Sequence, residues 1–176
     1  MNKNILIGIV VIVFIGGVLL FTNKKPQTEN SNTNPQQNQQ VTSKDEGKMV
    51  AGYSGKVLAG TTSPYIAFTK ADYDKAKSAG KVVFLDFYAN WCPICREEAP
   101  ILKEGFDGLQ NDKIVGFRVN YNDNETDADE KKLASDFSIP YQHTKVILKN
   151  GKEIFRTQES WDKETFNTEI SKASAK

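Results

Sequence analysis

An apolar run leads directly into a pair of closely spaced cysteines, and few folds accommodate that arrangement. Residues 81–89 (KVVFLDFYA) are rich in β-branched and aromatic side chains and contain one acid, Asp86. A short apolar run of this composition is typical of a strand buried on both faces of a sheet. Residues 93–108 have a helical pattern. The sequence therefore predicts that Cys92 and Cys95 lie where a central strand ends and a helix begins.

The rest of the carboxyl-terminal region alternates between strand-like and helical patterns. The other predicted strands are residues 65–68, 114–120, 144–149 and 153–156, and the other predicted helices are residues 69–80, residues 127–137 and a terminal helix that opens at Ser160. Asn150-Gly151, between the last two strands, is typical of a tight hairpin. The resulting order, β-α-β-α-β-α-β-β-α, predicts an α/β fold with a mixed sheet and helices on its faces.

The amino-terminal region has a different character. Residues 5–21 (ILIGIVVIVFIGGVLLF) are uncharged and apolar, and lysines lie on both sides of them. The run is at the short end of what spans a bilayer as a helix. A cleaved signal peptide is the competing interpretation, but no A-x-A-like cleavage site follows. We therefore expect a signal-anchor helix, with residues 1–4 as a short tail inside the cell and the remaining chain exported.

A polar linker follows the apolar run. Residues 22–50 are dominated by Asn, Gln, Thr, Ser and Lys, and such a segment cannot bury enough apolar surface to offset its ordering entropy. As a flexible coil it would reach roughly 30 Å from the membrane. The sequence thus predicts a flexible tether and one folded domain, residues 51–176, on the extracytoplasmic face of the cell membrane.

Composition excludes several classes of protein. Lys+Arg 23 against Asp+Glu 22 gives a formal net charge of +1, which is not the balance of a polybasic nucleic-acid binder. Two cysteines and one histidine are too few for a disulfide-stapled small protein or for a Cys/His zinc cage built from this chain alone. We expect no nucleic-acid partner, and the two cysteines become the main candidates for chemistry.

The position of the cysteines favours redox chemistry. At a helix amino terminus, the thiolate of Cys92 would be stabilised by unpaired backbone N–H groups and by the helix dipole. Cys95, one turn further along, would be placed to resolve a mixed disulfide. A structural disulfide and half of a metal site are the alternatives. Asp86, inside so apolar a strand, should have a raised pKa that suits proton transfer with Cys95, unless it is an ordinary solvated acid.

Residues 85–102 (LDFYANWCPICREEAPIL) resemble the active-site motif of the thioredoxin superfamily. The likeness extends over about residues 65–175, and the W-C-x-x-C core with a downstream proline is highly specific. The resemblance implies a thioredoxin-like fold and thiol–disulfide exchange. It also implies no cofactor other than a redox-active disulfide formed by the chain itself.

The resemblance implies a role for several individual residues. Cys92 would be the nucleophile and Cys95 the resolving thiol. Asp86 matches the buried acid to which the family assigns proton transfer, and Arg118 falls where the family commonly has a lysine near that acid. Trp91 matches the tryptophan beside the nucleophile, which shields the site and offers a contact surface. An exposed strand residue at Arg118 and a simple aromatic at Trp91 are the plainer alternatives.

The residues around the second cysteine bear on the direction of electron flow. Pro93-Ile94 matches neither the Gly-Pro of reducing thioredoxins nor the Pro-His of the strong periplasmic oxidant. Its proline-first order leans slightly away from the most reducing members. Cys95, Glu98 and Pro100 form C-x-x-E-x-P, which resembles the extracytoplasmic branch involved in cytochrome maturation and thiol reduction. Together with the acid of the preceding strand, this pattern favours a reductase.

Two alignments are open for the loop that the family closes with a cis-proline. One places Pro140 there but needs three extra residues before the next strand. The other needs no gap, so that His143 takes the cis-proline position and Thr144 begins the strand, and we favour it because strand lengths are kept. A non-proline residue there should be trans. The imidazole would then face the thiols, where it would stabilise the Cys92 thiolate as a cation or act as a metal ligand.

Two functions follow from these observations. The favoured one is a membrane-tethered thiol–disulfide oxidoreductase that acts on protein thiols or disulfides, is served by an upstream redox partner and is anchored through residues 5–21. Direction is open, with a reductase preferred. The alternative is a metal-binding module in which Cys92, Cys95 and His143 hold copper or another soft ion.

Overall fold

The computed structural model describes residues 50–175 of the chain. The strands of this part form one six-stranded sheet. The predicted tail (1–4), the predicted transmembrane helix (5–21) and almost all of the predicted linker (22–50) lie outside the described residues. Between residues 50 and 175, no helix is both long enough and apolar enough to cross a membrane.

Ten elements follow one another along the described chain. The strands are β1 (Val57–Ala59), β2 (Tyr65–Ala67), β3 (Val82–Tyr88), β4 (Ile114–Asn120), β5 (Thr144–Lys149) and β6 (Lys152–Thr157). The helices are α1 (Lys70–Ser78), α2 (Pro93–Gly108), α3 (Ala128–Asp136) and α4 (Lys163–Ala175). The predicted order of strands and helices is confirmed, with one strand added in front.

The sheet is mixed, as predicted. Its order is β1-β2-β4-β3-β5-β6. β4 is parallel to both β2 and β3, whereas the β1–β2, β3–β5 and β5–β6 pairs are antiparallel. β1 was not predicted, because three residues (VLA) are too few to show the alternation of apolar and polar side chains that indicates a strand. β3 lies inside the sheet between β4 and β5, so the segment that follows it leaves from the middle of the sheet edge.

Alternation along β3 divides the core into two layers. Val83, Leu85 and Phe87 pack with residues of α1 and α3 on one face of the sheet. Val82 and Phe84 pack with residues of α2 and α4 on the other face. Successive side chains of a strand point to opposite faces, so the next residue of this second set, Asp86, lies on the α2/α4 face. One acid is thereby placed beneath the helix that carries the cysteines.

Gly116 of β4 leaves room for an aromatic stack on the α2/α4 face. The rings of Tyr65 and Phe106 stack with centroids 4.9 Å apart, and a Cβ at position 116 would lie 2.4 Å from Phe106 Cζ and 2.8 Å from Tyr65 Cδ2. We expect Gly116→Ala to destabilise the domain by about 1–3 kcal/mol through overpacking, measured by urea unfolding.

Gly108→Ala is the matched control for this substitution. A Cβ at position 108, the last residue of α2, would meet nothing within 4 Å. We expect that variant to be neutral or slightly stabilised, since alanine is favoured over glycine in a helix by about 1 kcal/mol at most. Equal stability of the two variants would contradict the packing argument.

Candidate active site

The cysteines lie at the start of α2, where the sequence predicted them. Cys92 is the N-cap residue of α2, with extended backbone (φ −75°, ψ 117°), and Pro93 begins the helix. The backbone N–H of Cys95 donates to Cys92 Sγ across 3.2 Å. A sulfur at this position accepts one of the otherwise unpaired N–H groups of the first turn.

Burial does not distinguish the two thiols, but their surroundings do. Both are free, and each is 4% exposed, so the two cysteines are equally shielded. Burial, followed by the hydrogen bond with Cys92 and the nearby charge of Asp86, raises the pKa of the Cys95 thiol well above its usual range. Cys95 therefore keeps its proton at neutral pH, and it needs a base before it can act as a nucleophile.

Two exposed apolar side chains flank the cysteines in sequence. Among the described residues, the large hydrophobic side chains that are exposed are Trp91 (51%), Ile94 (49%) and Tyr141 (47%). Ile94 lies between the two cysteines in sequence, and Trp91 directly precedes the first. Two of the three exposed large apolar side chains thus belong to the segment that carries the thiols, as suits contact with another protein.

The loop after β4 braces the segment that precedes Cys92. Trp91 Nε1 donates to the carbonyl of Asn122 across 3.0 Å, and the backbone N–H of Asn90 donates to Asp123 Oδ2 across 2.9 Å. The indole is therefore held by its polar edge while half of its surface faces solvent. The site role of Trp91 stays a prediction, and its contact with this loop was not visible in the sequence.

Asp86 is buried, as the sequence predicted. The Tyr65 hydroxyl donates to Asp86 Oδ2 across 2.7 Å. Arg118 of β4 and Lys145 of β5 are its direct cross-strand neighbours. Burial raises the pKa of Asp86, and Lys145, the Tyr65 hydroxyl and Arg118 oppose that effect without cancelling it. The carboxyl group can thus hold and release a proton nearer to neutral pH than an ordinary aspartate does.

Arg118 lies beside the acid, as the resemblance implied. It is partly buried, and its guanidinium carbon lies 4.9 Å from the centre of the Tyr88 ring. Tyr88 in turn packs against the cluster formed by Ala89, Cys92 and Cys95. The position of Arg118 is thus set by its register with the acid and by the last residue of β3.

Glu98 and Lys145 form a buried ion pair, and this pairing was not predicted from the sequence. Lys145 Nζ lies 2.7 Å from Glu98 Oε2, and the backbone N–H of Trp161 donates to Glu98 Oε1 across 2.6 Å. Burial raises the pKa of Glu98, and Lys145 opposes it. The alternation of β5 places Lys145 on the same face as Ile147. Once the register opposite Asp86 is known, this alternation predicts that Lys145 is buried on the face that holds the acids.

The strand start of the favoured alignment agrees with the structure. β5 begins at Thr144, which is paired with Phe87, and the backbone N–H of His143 donates to the Phe87 carbonyl across 2.7 Å. The Thr144 hydroxyl donates to the Tyr141 carbonyl. Pro140 is exposed, and no peptide bond of the described residues is cis.

The role expected for the His143 imidazole is wrong. Its Nδ1 lies 3.2 Å from Glu98 Oε2 without the alignment of a hydrogen bond, and its Nε2 lies 3.2 Å from Ser160 Oγ. Burial and the charge of Lys145 lower the pKa of His143 to about 4. The ring is therefore neutral at neutral pH, and it cannot stabilise the Cys92 thiolate as a cation.

The metal-binding alternative finds no site among residues 50–175. No three His, Cys, Asp or Glu side chains of that part of the chain come together in a way that could hold a metal ion. His143 contacts Glu98 and Ser160 instead. The expected set of Cys92, Cys95 and His143 is therefore corrected to a pair of thiols and a separate buried polar cluster.

Comparisons with known proteins agree with this geometry. The sequence model of the thioredoxin family, described as "Thioredoxin", matches residues 64–172. A thioredoxin of Alicyclobacillus acidocaldarius is 30% identical over 89 residues, which are 51% of this chain and 78% of that protein. Thioredoxin H4 of Arabidopsis thaliana is 34% identical over 82 residues, which are 46% of this chain and 62% of the relative.

A solved structure shows the same fold. The crystal structure of Trxlp from Edwardsiella tarda superposes with a TM-score of 0.50 at 24% identity, and the match covers 58% of this chain and 94% of that one. The strands and helices that position the two cysteines therefore have a counterpart in a known architecture.

Proposed function

This chain belongs to the thioredoxin family and is a thiol–disulfide oxidoreductase, and we propose that it exchanges disulfides with other proteins through Cys92 and Cys95. The observation that carries the proposal is the position of the thiols: Cys92 caps α2, and Cys95 lies one turn later. The exposed apolar side chains next to them in sequence, Trp91 and Ile94, suit a protein substrate.

The reaction would proceed in two exchange steps. The Cys92 thiolate attacks one sulfur of a substrate disulfide, and the other substrate sulfur leaves as a thiolate. Asp86 then takes the proton of Cys95, whose thiolate attacks Cys92 Sγ and releases the second substrate sulfur. The substrate gains two electrons and the enzyme keeps a Cys92–Cys95 disulfide. A dithiol partner would return the enzyme to its reduced form.

We further propose that the enzyme works as a reductase. A buried acid beside a protonated resolving thiol, together with the C-x-x-E-x-P pattern from Cys95, supports this direction. The test is the redox potential of the full chain in detergent, equilibrated against glutathione buffers. A potential between about −270 and −200 mV is expected, whereas a value near about −120 mV is that of a strong oxidant and would contradict the proposal.

We also propose that residues 5–21 anchor the enzyme in the cell membrane and that residues 22–50 tether the domain on its outer side. The full chain should stay with the membrane after alkaline carbonate extraction. A chain carrying Val13→Lys and Phe14→Lys should be released, because two charges at the bilayer centre oppose insertion. A membrane-impermeant thiol reagent should label Cys92 in intact cells, and labelling only after lysis would contradict the outward orientation.

A further inference from the structure

A fully buried lysine lies between two buried carboxyl groups behind the cysteines. Lys145 has no exposed surface, and its Nζ lies 2.7 Å from Glu98 Oε2 and donates to the Glu159 carbonyl across 3.1 Å. Asp86 is its direct partner on the neighbouring strand. A buried ammonium group is costly unless it is paired, and here one cation is shared by two acids.

The groups that surround Asp86 come from every element packed against it. They are the Tyr65 hydroxyl from β2, the Arg118 guanidinium from β4, Lys145 from β5, and Cys95 and Glu98 from α2. His143 contacts Glu98 but is neutral at neutral pH. Asp86 therefore lies among two cations, one competing acid and one thiol.

The two acids differ in the donors that reach them. Glu98 accepts from the charged Lys145 ammonium at 2.7 Å and from the Trp161 N–H at 2.6 Å, and such contacts stabilise a carboxylate. From the side chains of the described residues, Asp86 accepts one hydrogen bond, which the neutral Tyr65 hydroxyl donates. Of the two acids, Asp86 is thus the one on which a proton is retained more easily.

We propose that Lys145 is a positioning residue for disulfide exchange, because it binds Glu98 directly, faces Asp86 across the sheet and thereby decides which of the two acids carries the exchangeable proton. The proposal rests on the exchange function assigned to Cys92 and Cys95. Lys145 touches neither substrate nor thiol in this account. It acts through Asp86, by fixing the pH range in which that carboxylate accepts the proton of Cys95.

Two substitutions should move the pH profile in opposite directions. Lys145→Met removes a cation that faces Asp86, so the pKa of Asp86 rises and the acid limb of the profile moves to higher pH. Glu98→Gln removes an anion, so the pKa of Asp86 falls and the acid limb moves to lower pH. We expect each limb to move by about one pH unit, which is about tenfold in rate at a fixed pH on the limb.

Lys149→Met is the matched control. Lys149 lies four residues further along β5, on the same face, but it is only partly buried and its ammonium donates to carbonyls near the end of α4, Ala173 and Ser174. The profile of this variant should coincide with that of the unmodified chain. If the acid limb of Lys149→Met shifted as far as that of Lys145→Met, the shift would be due to the loss of any nearby positive charge. That result would overturn the proposal.

The experiment uses the full chain in detergent. Prereduced protein is mixed with a peptide disulfide between about pH 5 and pH 9, and acid-quenched mass spectrometry follows the decay of the mixed disulfide. Unmoved limbs, or limbs that move in the same direction, would overturn the role of Lys145. Absence of any mixed disulfide in the unmodified chain would instead overturn the exchange function, so the two failures are distinguishable.

A double variant keeps the test decisive if Lys145→Met does not fold. Lys145→Met combined with Glu98→Gln removes both charges of the buried pair, and replacing both partners leaves no unpaired ion behind. Its acid limb should lie between the limb of Glu98→Gln and the limb expected of Lys145→Met, close to that of the unmodified chain. A limb displaced beyond either single variant would contradict the proposal.

Discussion

Cys92→Ser is expected to abolish disulfide exchange, by about 1,000-fold or more, because the attacking sulfur is lost. Cys95→Ser should leave the first attack intact and stop the reaction at the mixed disulfide, since only the resolving thiol is missing. These proposed roles rest on position: Cys92 caps α2, and Cys95 follows inside the helix with its N–H directed at Cys92 Sγ.

The two serine variants serve as controls for each other. They change the same atom type at sites with the same 4% exposure, so a difference between them reports position rather than burial. Each variant is incubated with a peptide disulfide and analysed by mass spectrometry after an acid quench. The Cys95→Ser chain should accumulate the peptide adduct and the Cys92→Ser chain should not. The reverse pattern would show that the assignment of nucleophile and resolving thiol is wrong.

The sequence predicts the elements around the cysteines well because their signals are local. The apolar run of β3, the proline that begins α2 and the cysteine pair between them all lie within residues 81–95. The hairpin at Asn150-Gly151 is equally local. Each of these features is decided by neighbours in the chain, so no knowledge of the packing is needed.

The polar cluster behind the cysteines depends on contacts between distant segments. Tyr65 and Asp86 are 21 residues apart, and Glu98 and Trp161 are 63 residues apart. Such pairs are set by the order and register of the strands and by the packing of α2 on the sheet. A one-residue change of register would reverse the faces, so the sequence shows Asp86 as a buried acid without showing what surrounds it.

His143 illustrates the same limit on a single side chain. The gapless alignment places His143 directly before a strand that begins at Thr144, and β5 does begin at Thr144. Its imidazole, however, lies against Glu98 and Ser160. Neither neighbour is near in sequence, and both are reached only once α2 and the segment before α4 are packed. The alignment therefore located the residue, and the packing decided its chemistry.

Asp86→Asn is expected to slow resolution of the mixed disulfide by about 100-fold at neutral pH, the usual contribution of one positioned general base. The raised pKa of Asp86 sets the sign. In the unmodified chain the rate should rise with pH as the carboxyl ionises and becomes able to accept the Cys95 proton. Asparagine cannot accept it, so the acid limb should disappear and the rates of the two chains should converge at high pH, where solvent removes the proton.

Stability should respond in the opposite direction to activity. An acid whose pKa is raised on folding binds its proton more tightly in the folded state than in the unfolded state. Its ionisation therefore lowers the free energy of unfolding as the pH rises above the pKa of the unfolded state. Asparagine resembles the protonated acid in shape, and its amide oxygen can still accept from the Tyr65 hydroxyl at the position of Asp86 Oδ2. Asp86→Asn should therefore be more stable than the unmodified chain in urea at neutral pH, and equal to it at a pH below the ordinary range of carboxyl groups. A variant that turned over normally across neutral pH would remove proton transfer from Asp86, and a variant that lost stability together with activity would point to a structural role instead.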